Sequence, residues 1–432
     1  MMKVLLVGGG AREHALAWKL SRERAVEEVV CGPGNAGIAR QFRCLPLDVS
    51  APDAVLALAV QEGVDFTVIG PELPLAKGVA DLFASVGLPL FGPRQVAAQL
   101  ESSKVFAKEF MERHQIPTSR FAICDTEADA LKTVSGGDFG FPVVVKADGL
   151  ASGKGVTVAT DRSTAEAAVR AAMGDRKFGA AGARLVIEEC LVGDEASFFV
   201  LCDGRRGVSL PSAQDHKRIF DEDKGPNTGG MGAFAPSPLV SQDLGNRVMR
   251  DIVQPVLDGL RAEGHEYRGL LYVGLMLTTK GPKVIEFNVR FGDPEAQVVL
   301  PMIETDLAPA LFAASTGDLE DMPWKISREP HVGVVIASGG YPGVYETGFE
   351  IEGLDTVSAM ADVVVFHGGS TDQDGRLVTG GGRVLTVVGK GQTFREARNR
   401  AYQGVECISF PGKHVRTDIG LKALSVSVTD RA

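Results

Sequence analysis

The chain reads as an α/β protein in three parts: an N-terminal parallel-sheet βαβ domain, a middle α/β domain, and a C-terminal β-rich α+β domain. Three observations carry that expectation. From Lys3 to about Glu101, short β-rich apolar runs alternate with helical stretches, the pattern of βαβ units. A long helical run, "RQVAAQLESSKVFAKEFMERHQ", then ends at Ile116-Pro117, where proline stops it, and a boundary near Ser102 follows. New β-rich runs begin at about Pro330. The boundaries are therefore 1–102, 103–328 and 329–432, and three domains suit a chain of 432 residues.

In the first part the strands are "KVLLVG", "EEVVCGPG", "DFTVIGPE" and "LPLFGP". Ligands of a parallel sheet bind beyond the carboxyl ends of its strands. Three glycine loops fall there: Gly8-Gly9-Gly10, Gly32-Pro33-Gly34-Asn35 and Gly70-Pro71-Glu72. The first does not complete the dinucleotide pattern GxGxxG, because Glu13 stands at its third glycine. What remains is a strand-to-helix turn suited to an anion such as a sugar phosphate.

In the middle part, "VVKADGLASGKGV" is a glycine-rich stretch carrying Lys146 and Lys154. It is not a P-loop, since only three residues separate Gly149 from Gly153 and Lys154 is followed by Gly155. It also joins two strand-like runs, "FPVVVKA" and "VTVATD", so it reads as a hairpin flap. Backbone N–H groups of small residues can close on phosphate oxygens there, with the lysines adding charge. A flexible surface hairpin with solvated lysines is the bland alternative.

"KVIEFNVRFGDPEAQ" is the second informative stretch. Along a strand Glu286 and Asn288 share one face, with Arg290 on the same parity. A carboxylate and an amide oxygen together suit magnesium, which completes its shell with waters and phosphates. An exposed strand face with a salt bridge is the alternative. The third, "PSAQDHKRIFDEDKGPNTGGMGAF", gathers Asp215, His216, Lys217 and Arg218 beside a glycine-rich run and reads as a functional loop. His216 in isolation reads as a structural or solvated histidine rather than a catalyst. "VIEECLVGDEAS" adds Glu188, Glu189 and Glu195 around a short apolar stretch.

Composition narrows the partners. A net charge of −10 argues against nucleic acid, which favours a basic face. The opening apolar run is too short for a secretory signal or a membrane span, so the expectation is a cytoplasmic protein. Six scattered cysteines with no CxxC pair signal neither zinc nor a redox motif. A monomer is expected, because no long exposed apolar helix advertises an interface.

Taken in order, these segments resemble the ATP-grasp superfamily and, within it, the glycinamide ribonucleotide synthetase (phosphoribosylamine–glycine ligase) family. The resemblance rests on "GGGAREHA", "GPGNAG", "VVKADGLASGKGV", "PSAQDHKR", "GPNTGGMGA", "EFNVRFGDPE", "SGGYPG" and "GGGRVLTVVG", and it spans the whole chain. It implies that 103–328 is an ATP-grasp domain with a mobile lid subdomain at about 120–192. It further implies ATP-dependent ligation of glycine to 5-phosphoribosylamine through glycyl phosphate, in purine biosynthesis.

The resemblance also implies roles. Lys104 and Lys146 would hold the nucleotide phosphates under the flap of Gly149, Ser152, Gly153, Lys154 and Gly155. Glu188, with the backbone of Glu189 to Leu191, would form the adenine edge, and Glu195 would bind ribose. Asp215 would take the glycine amine and Arg290 its carboxylate, with Lys217 beside them; Gly10, Asn35 and Glu72 would meet phosphoribosylamine. Glu286 and Asn288 would hold Mg2+, or Mn2+ in its place. One departure from the superfamily is that "YVGLMLT" supplies no further metal carboxylate. Two rival readings are another ATP-grasp ligase, such as a biotin-dependent carboxylase subunit, and a nucleotide-binding regulatory module without turnover.

Overall fold

The computed structural model describes residues 1–150, 155–177, 179–319 and 324–425. Strands β1 (Met2–Gly8), β2 (Val26–Pro33), β3 (Arg43–Cys44), β4 (Phe66–Ile69) and β5 (Leu90–Phe91) form one sheet in the order β3-β2-β1-β4-β5. All its pairings are parallel. The register sets Gly8 beside Pro33 and Val7 beside Ile69, so the three glycine loops meet at one carboxyl edge. They pack without room for side chains: a Cβ on Gly9 would lie 2.3 Å from the Gly34 carbonyl oxygen.

The expected long helix is broken into Gln95–Ser102 and Lys104–Arg113. Ser103 leaves helical geometry at φ −136°, ψ 113°, and its hydroxyl accepts the Phe106 N–H, capping the second helix.

Strands β6 (Phe121–Cys124), β7 (Val143–Ala147), β8 (Val156–Ala159) and β9 (Leu185–Glu189) form an antiparallel sheet in the order β6-β9-β7-β8. It has its own small core, in which Val143, Val145, Leu185 and Ile187 meet Ala130 and Ala165. The glycine-rich stretch joins β7 to β8 as a hairpin, as expected, with Lys146 opposite Val156.

The chain continues through β10 (Asp194–Asp203), β11 (Gly207–Ser209), β12 (Gln214–Asp215), β13 (Arg218–Phe220), β14 (Lys224–Asn227), β15 (Gly232–Ala235), β16 (Arg268–Thr278) and β17 (Gly281–Asn288). The C-terminal part adds β18 (His331–Ala337), β19 (Val363–His367), β20 (Ser370–Gln373), β21 (Arg376–Thr379) and β22 (Arg383–Lys390). One antiparallel sheet is β11-β10-β16-β17, and its Phe198, Leu271 and Val273 share a core with Leu5 and Val7 of the first sheet.

The sheet of the C-terminal part runs β12-β15-β18-β22-β19. Two of its strands therefore precede residue 329, and the polar, glycine-rich segment 213–235 is tied to both neighbouring sheets. Strand pairing is non-local, so the beginning of a β-rich region in sequence does not mark the edge of its sheet.

Candidate functional site: a charged cleft under the hairpin sheet

A cleft of about 780 Å³ opens between the β6–β9 sheet and the β10–β17 sheet. Its wall on one side is the helix Lys104–Arg113, whose residues 104 and 108 lie one turn apart on one face. Lys104 Nζ donates to the Gly149 carbonyl at 3.3 Å. Lys108 Nζ donates to Thr118 Oγ1 at 2.8 Å and Ser119 Oγ at 2.7 Å, and it pairs with Glu188.

Glu188 also pairs with Lys146, whose Nζ donates to the Ile285 carbonyl at 3.2 Å. Two lysines thus share one buried carboxylate. Burial works to raise the Glu188 pKa, but Lys146 and Lys108 outweigh it and hold the group at about 2. Lys108 responds in the opposite sense: burial brings it down to about 8 despite Glu188. Glu188 therefore keeps its charge at neutral pH.

Along the next stretch, Glu189 is tied to Arg120 and Lys283, at 3.0 and 3.1 Å. The backbone to Leu191 and Glu195 then follows the rim. Glu195 pairs with Lys217 at 2.8 Å, and Lys217 lies 3.9 Å from Glu286.

The floor is built by β12, β16 and β17. Antiparallel pairing puts Gly274 opposite Glu286 and Tyr272 opposite Asn288. A Cβ on Gly274 would lie 3.1 Å from Glu286 Cγ, so glycine there leaves the carboxylate its room. Burial raises the Glu286 pKa, yet Lys217, Lys146, Lys104 and Arg290 bring it below the usual value. Its side chain is 40% exposed and lines the cleft.

Asp215 is the opposite case. Burial, opposed by Lys217 but reinforced by Glu295, Glu195 and Glu286, pushes its carboxyl up to about 7. An incoming cation is the natural partner for a carboxylate in that position.

Arg290 is held on several sides. Its guanidinium meets Glu101 at 2.7 Å, Glu72 at 3.4 Å and Asn288 Oδ1 at 3.0 Å. Burial opposes its charge, but Glu101 and Glu72 raise its pKa.

The residues expected to hold a metal fit one in part by the chemistry of their donors. Glu286 presents its carboxylate to the cleft and Asn288, from the same strand face, an amide oxygen that also accepts Arg290 Nη2 at 3.0 Å, and among the described residues no cluster of three His, Cys, Asp or Glu forms a closed metal cage. Two oxygens with room for phosphates and water are what Mg2+ accepts.

A smaller recess of about 210 Å³ lies where the three parts meet, lined by Gly10, Asp293, Gly368, Arg383 and Thr386 among others. The Gly10 N–H donates to Glu13 Oε2 at 2.6 Å. Arg383 spans Asp293 at 3.1 Å and the Gly229 carbonyl at 2.7 Å.

Asn35 stands at this junction differently from the expectation. Its amide donates to the carbonyls of Gly9, His367 and Gly368 at 2.8, 2.7 and 3.1 Å, while its oxygen accepts the Ile38 N–H. The side chain is a clamp between N- and C-terminal parts, with both its amide nitrogen and its oxygen engaged. Gly10 lines the recess rather than the main cleft, but Asp293 and Arg383 line both, so the recess opens onto the cleft, and Glu72 joins the cleft through Arg290.

His216 takes no part in the cleft. It is 1% exposed, packs on Phe234, and has no hydrogen-bond partner on either ring nitrogen among the described residues. Ser152, Gly153 and Lys154 lie outside the described residues; Gly155 closes the hairpin by accepting the Ala147 N–H at 2.8 Å.

The reading from sequence missed Glu101, Lys108, Glu295, Asp293 and Arg383. Glu295 accepts Tyr272 Oη at 2.8 Å, is 3% exposed and helps to raise the Asp215 pKa. Asp293 and Glu295 stood in the "FGDPE" run, and Lys108 stood one helical turn after Lys104, so a signal existed for these three. Glu101 and Arg383 reach the site only through the fold.

An antiparallel lid-like sheet facing a second sheet across a cleft of lysines and acidic oxygens defines an ATP-grasp enzyme. The chain belongs to the phosphoribosylglycinamide synthetase family: its N domain matches residues 2–101, its ATP-grasp (A) domain 102–296 and its C domain 331–422. It is 48% identical to a phosphoribosylamine–glycine ligase of Xylella fastidiosa, over 98% of each chain.

Among solved structures, the phosphoribosylamine–glycine ligase of Thermotoga maritima superposes with a TM-score of 0.84 at 35% identity, covering 96% of this chain and all of that one. The biotin carboxylase domain of the Hydrogenobacter thermophilus 2-oxoglutarate carboxylase, in complex with MgADP and bicarbonate, shares the fold at TM-score 0.73 and 18% identity, with coverage of 96% and 92%.

Proposed function

We infer that the enzyme joins glycine to 5-phosphoribosylamine at the expense of ATP, releasing glycinamide ribonucleotide, ADP and phosphate, a step of purine biosynthesis. The observation that carries this reading is the opposed charge pattern of one cleft. Lys104 and Lys146 meet at the root of the hairpin, and Arg290 and Asp215 line the same cleft, offering a cation and a carboxylate to the two ends of an amino acid.

The glycine carboxylate attacks the γ-phosphorus, ADP leaves, and glycyl phosphate forms. The amine of phosphoribosylamine then attacks its carbonyl, phosphate departs, and a proton is lost from the new amide. Both reactants of the first step are anionic, so alignment and charge neutralisation supply most of the catalysis.

Lys104 and Lys146 bind the phosphates, and the lid subdomain that carries β7 and β8 excludes water from the acyl phosphate. Glu188 keeps Lys146 aimed; the Glu189 to Leu191 backbone receives the base and Glu195 the ribose. Asp215 holds the glycine ammonium with Lys217 and Glu295 setting its charge, and Arg290 holds the carboxylate. Glu286 and Asn288 would hold Mg2+, which when bound neutralises phosphate charge, and Mn2+ can take its place. The sugar substrate reaches the junction of Gly10, Glu72, Asp293 and Arg383. The sheet from about 120 to 192 moves as the lid on the rest of the 103–328 domain, and the enzyme works as a cytoplasmic monomer on small molecules.

ADP release with Mg2+ and ATP tests the reading, with glycine present and phosphoribosylamine formed in place from ribose 5-phosphate and ammonia. Release should require both substrates and vanish in Glu286→Ala. Release stimulated by bicarbonate instead, or indifferent to glycine, would replace the named substrates.

A further inference from the structure

Three consecutive residues at the start of the Lys104–Arg113 helix bond to a single residue of the hairpin. Asp148 Oδ1 accepts Ser103 Oγ at 2.8 Å and the Val105 N–H at 2.9 Å, and the Asp148 carbonyl accepts the Lys104 N–H at 2.9 Å. On its other side the Asp148 N–H donates to the Arg184 carbonyl at 3.1 Å, anchoring it to the β6–β9 sheet.

The arrangement explains why the chain breaks at Ser103. Residues 95–113 carry the composition of a continuous helix, and a break exposes N–H groups that a helix would otherwise pair. Asp148 receives two of those N–H groups directly, on its carbonyl and its carboxylate. The hydroxyl of Ser103 takes a third, from Phe106, while donating its own proton to Asp148. The break turns Lys104 toward the root of the hairpin, where its Nζ reaches the carbonyl of Gly149, the residue after Asp148.

We propose that Asp148 is a positioning residue for the nucleotide: it holds the interrupted helix against the hairpin root and thereby sets where Lys104 stands. Asp148 does not line the cleft and need not touch ATP. The proposal rests on the reading that Lys104 binds the ATP phosphates.

The test compares Asp148→Ala, Asp148→Asn and Asp148→Glu in the full chain, with Lys104→Met as reference, measuring kcat and KM for ATP and for glycine. Asp148→Ala should raise the ATP KM about five- to tenfold and leave the glycine KM within about twofold. Asn keeps an oxygen where both bonds end, so Asp148→Asn should recover most of the loss; Glu keeps the charge but displaces it by a methylene and should not.

Equal rises in both KM values, failure of Asn to rescue, or an unchanged ATP KM in Asp148→Ala would each overturn the positioning role. Should Asp148→Ala fail to fold, the Asn and Glu variants decide by the same contrast. If Lys104→Met itself leaves the ATP KM unchanged, the placement of ATP fails and this proposal falls with it; if only Lys104→Met weakens ATP, Asp148 alone is refuted.

Discussion

The carboxylate of Glu101 divides its two oxygens between the end of one strand and the side chain that follows it: Oε2 accepts the Val289 N–H at 2.7 Å and Oε1 meets Arg290 Nη2 at 2.7 Å. Glu101 is 9% exposed, and burial pushes its pKa up against the pull of Arg290. Removing it would leave a buried guanidinium with Glu72, at 3.4 Å, as its one remaining ion-pair partner among the described residues. Glu101→Ala is expected to cost about 3 kcal/mol of stability in denaturant unfolding. It should also raise the glycine KM, because Arg290 is no longer held in place.

Asp215 predicts how glycine affinity follows pH. Burial places its titration at about 7, far above the ordinary 3.8 of an aspartate. As pH falls through that value the carboxylate is protonated and loses its attraction for an ammonium group, so the glycine KM should rise on the acid side. Asp215→Asn should abolish that dependence. The stability sign is the reverse: the unfolded chain releases this proton first, so the stabilising contribution is full below 3.8 and is lost as pH rises to about 7. A glycine KM that is flat across neutrality would remove Asp215 from the amine site.

Glu188 titrates in the other direction. Its folded value of about 2 lies below the ordinary 4.5, so its contribution is complete above 4.5 and disappears as pH falls toward 2. The difference corresponds to about 3 kcal/mol. Glu188→Gln, which leaves Lys108 and Lys146 facing each other, should lose an amount of that order at neutral pH in urea unfolding. The gap from the parent should close on acidification.

Asn35 predicts a contrast between two small changes. Asn35→Ala removes the one amide NH2 group that three carbonyls share and one helix cap, which should cost about 2 kcal/mol. Asn35→Asp retains the cap but turns a carboxylate toward the carbonyls of Gly9, His367 and Gly368. Thermal unfolding should therefore place Asn35→Asp below Asn35→Ala.

Much of the site was legible in sequence because its parts are local. A strand has period two, so Glu286 and Asn288 had to share a face whatever surrounded them. A glycine-rich link between two β-branched runs had to be a hairpin, and the carboxyl ends of parallel strands had to gather the first three glycine loops. Each follows from backbone geometry over a few residues.

What only the tertiary structure decided lies between distant segments. Ser103 breaks a run of good helix formers because Asp148, 45 residues later, accepts the hydrogen bonds that a break leaves open. Glu101 comes to brace Arg290 because β17 ends against it, Arg383 reaches the cleft because the C-terminal part folds back over Asp293, and β12 with β15 enters a sheet whose other strands lie about a hundred residues on. Residue type and spacing alone determined the local backbone and the chemistry each motif could offer. Which charges meet, and so which carboxyl titrates near 2 and which near 7, depends on burial and on neighbours that only the folded chain brings within reach.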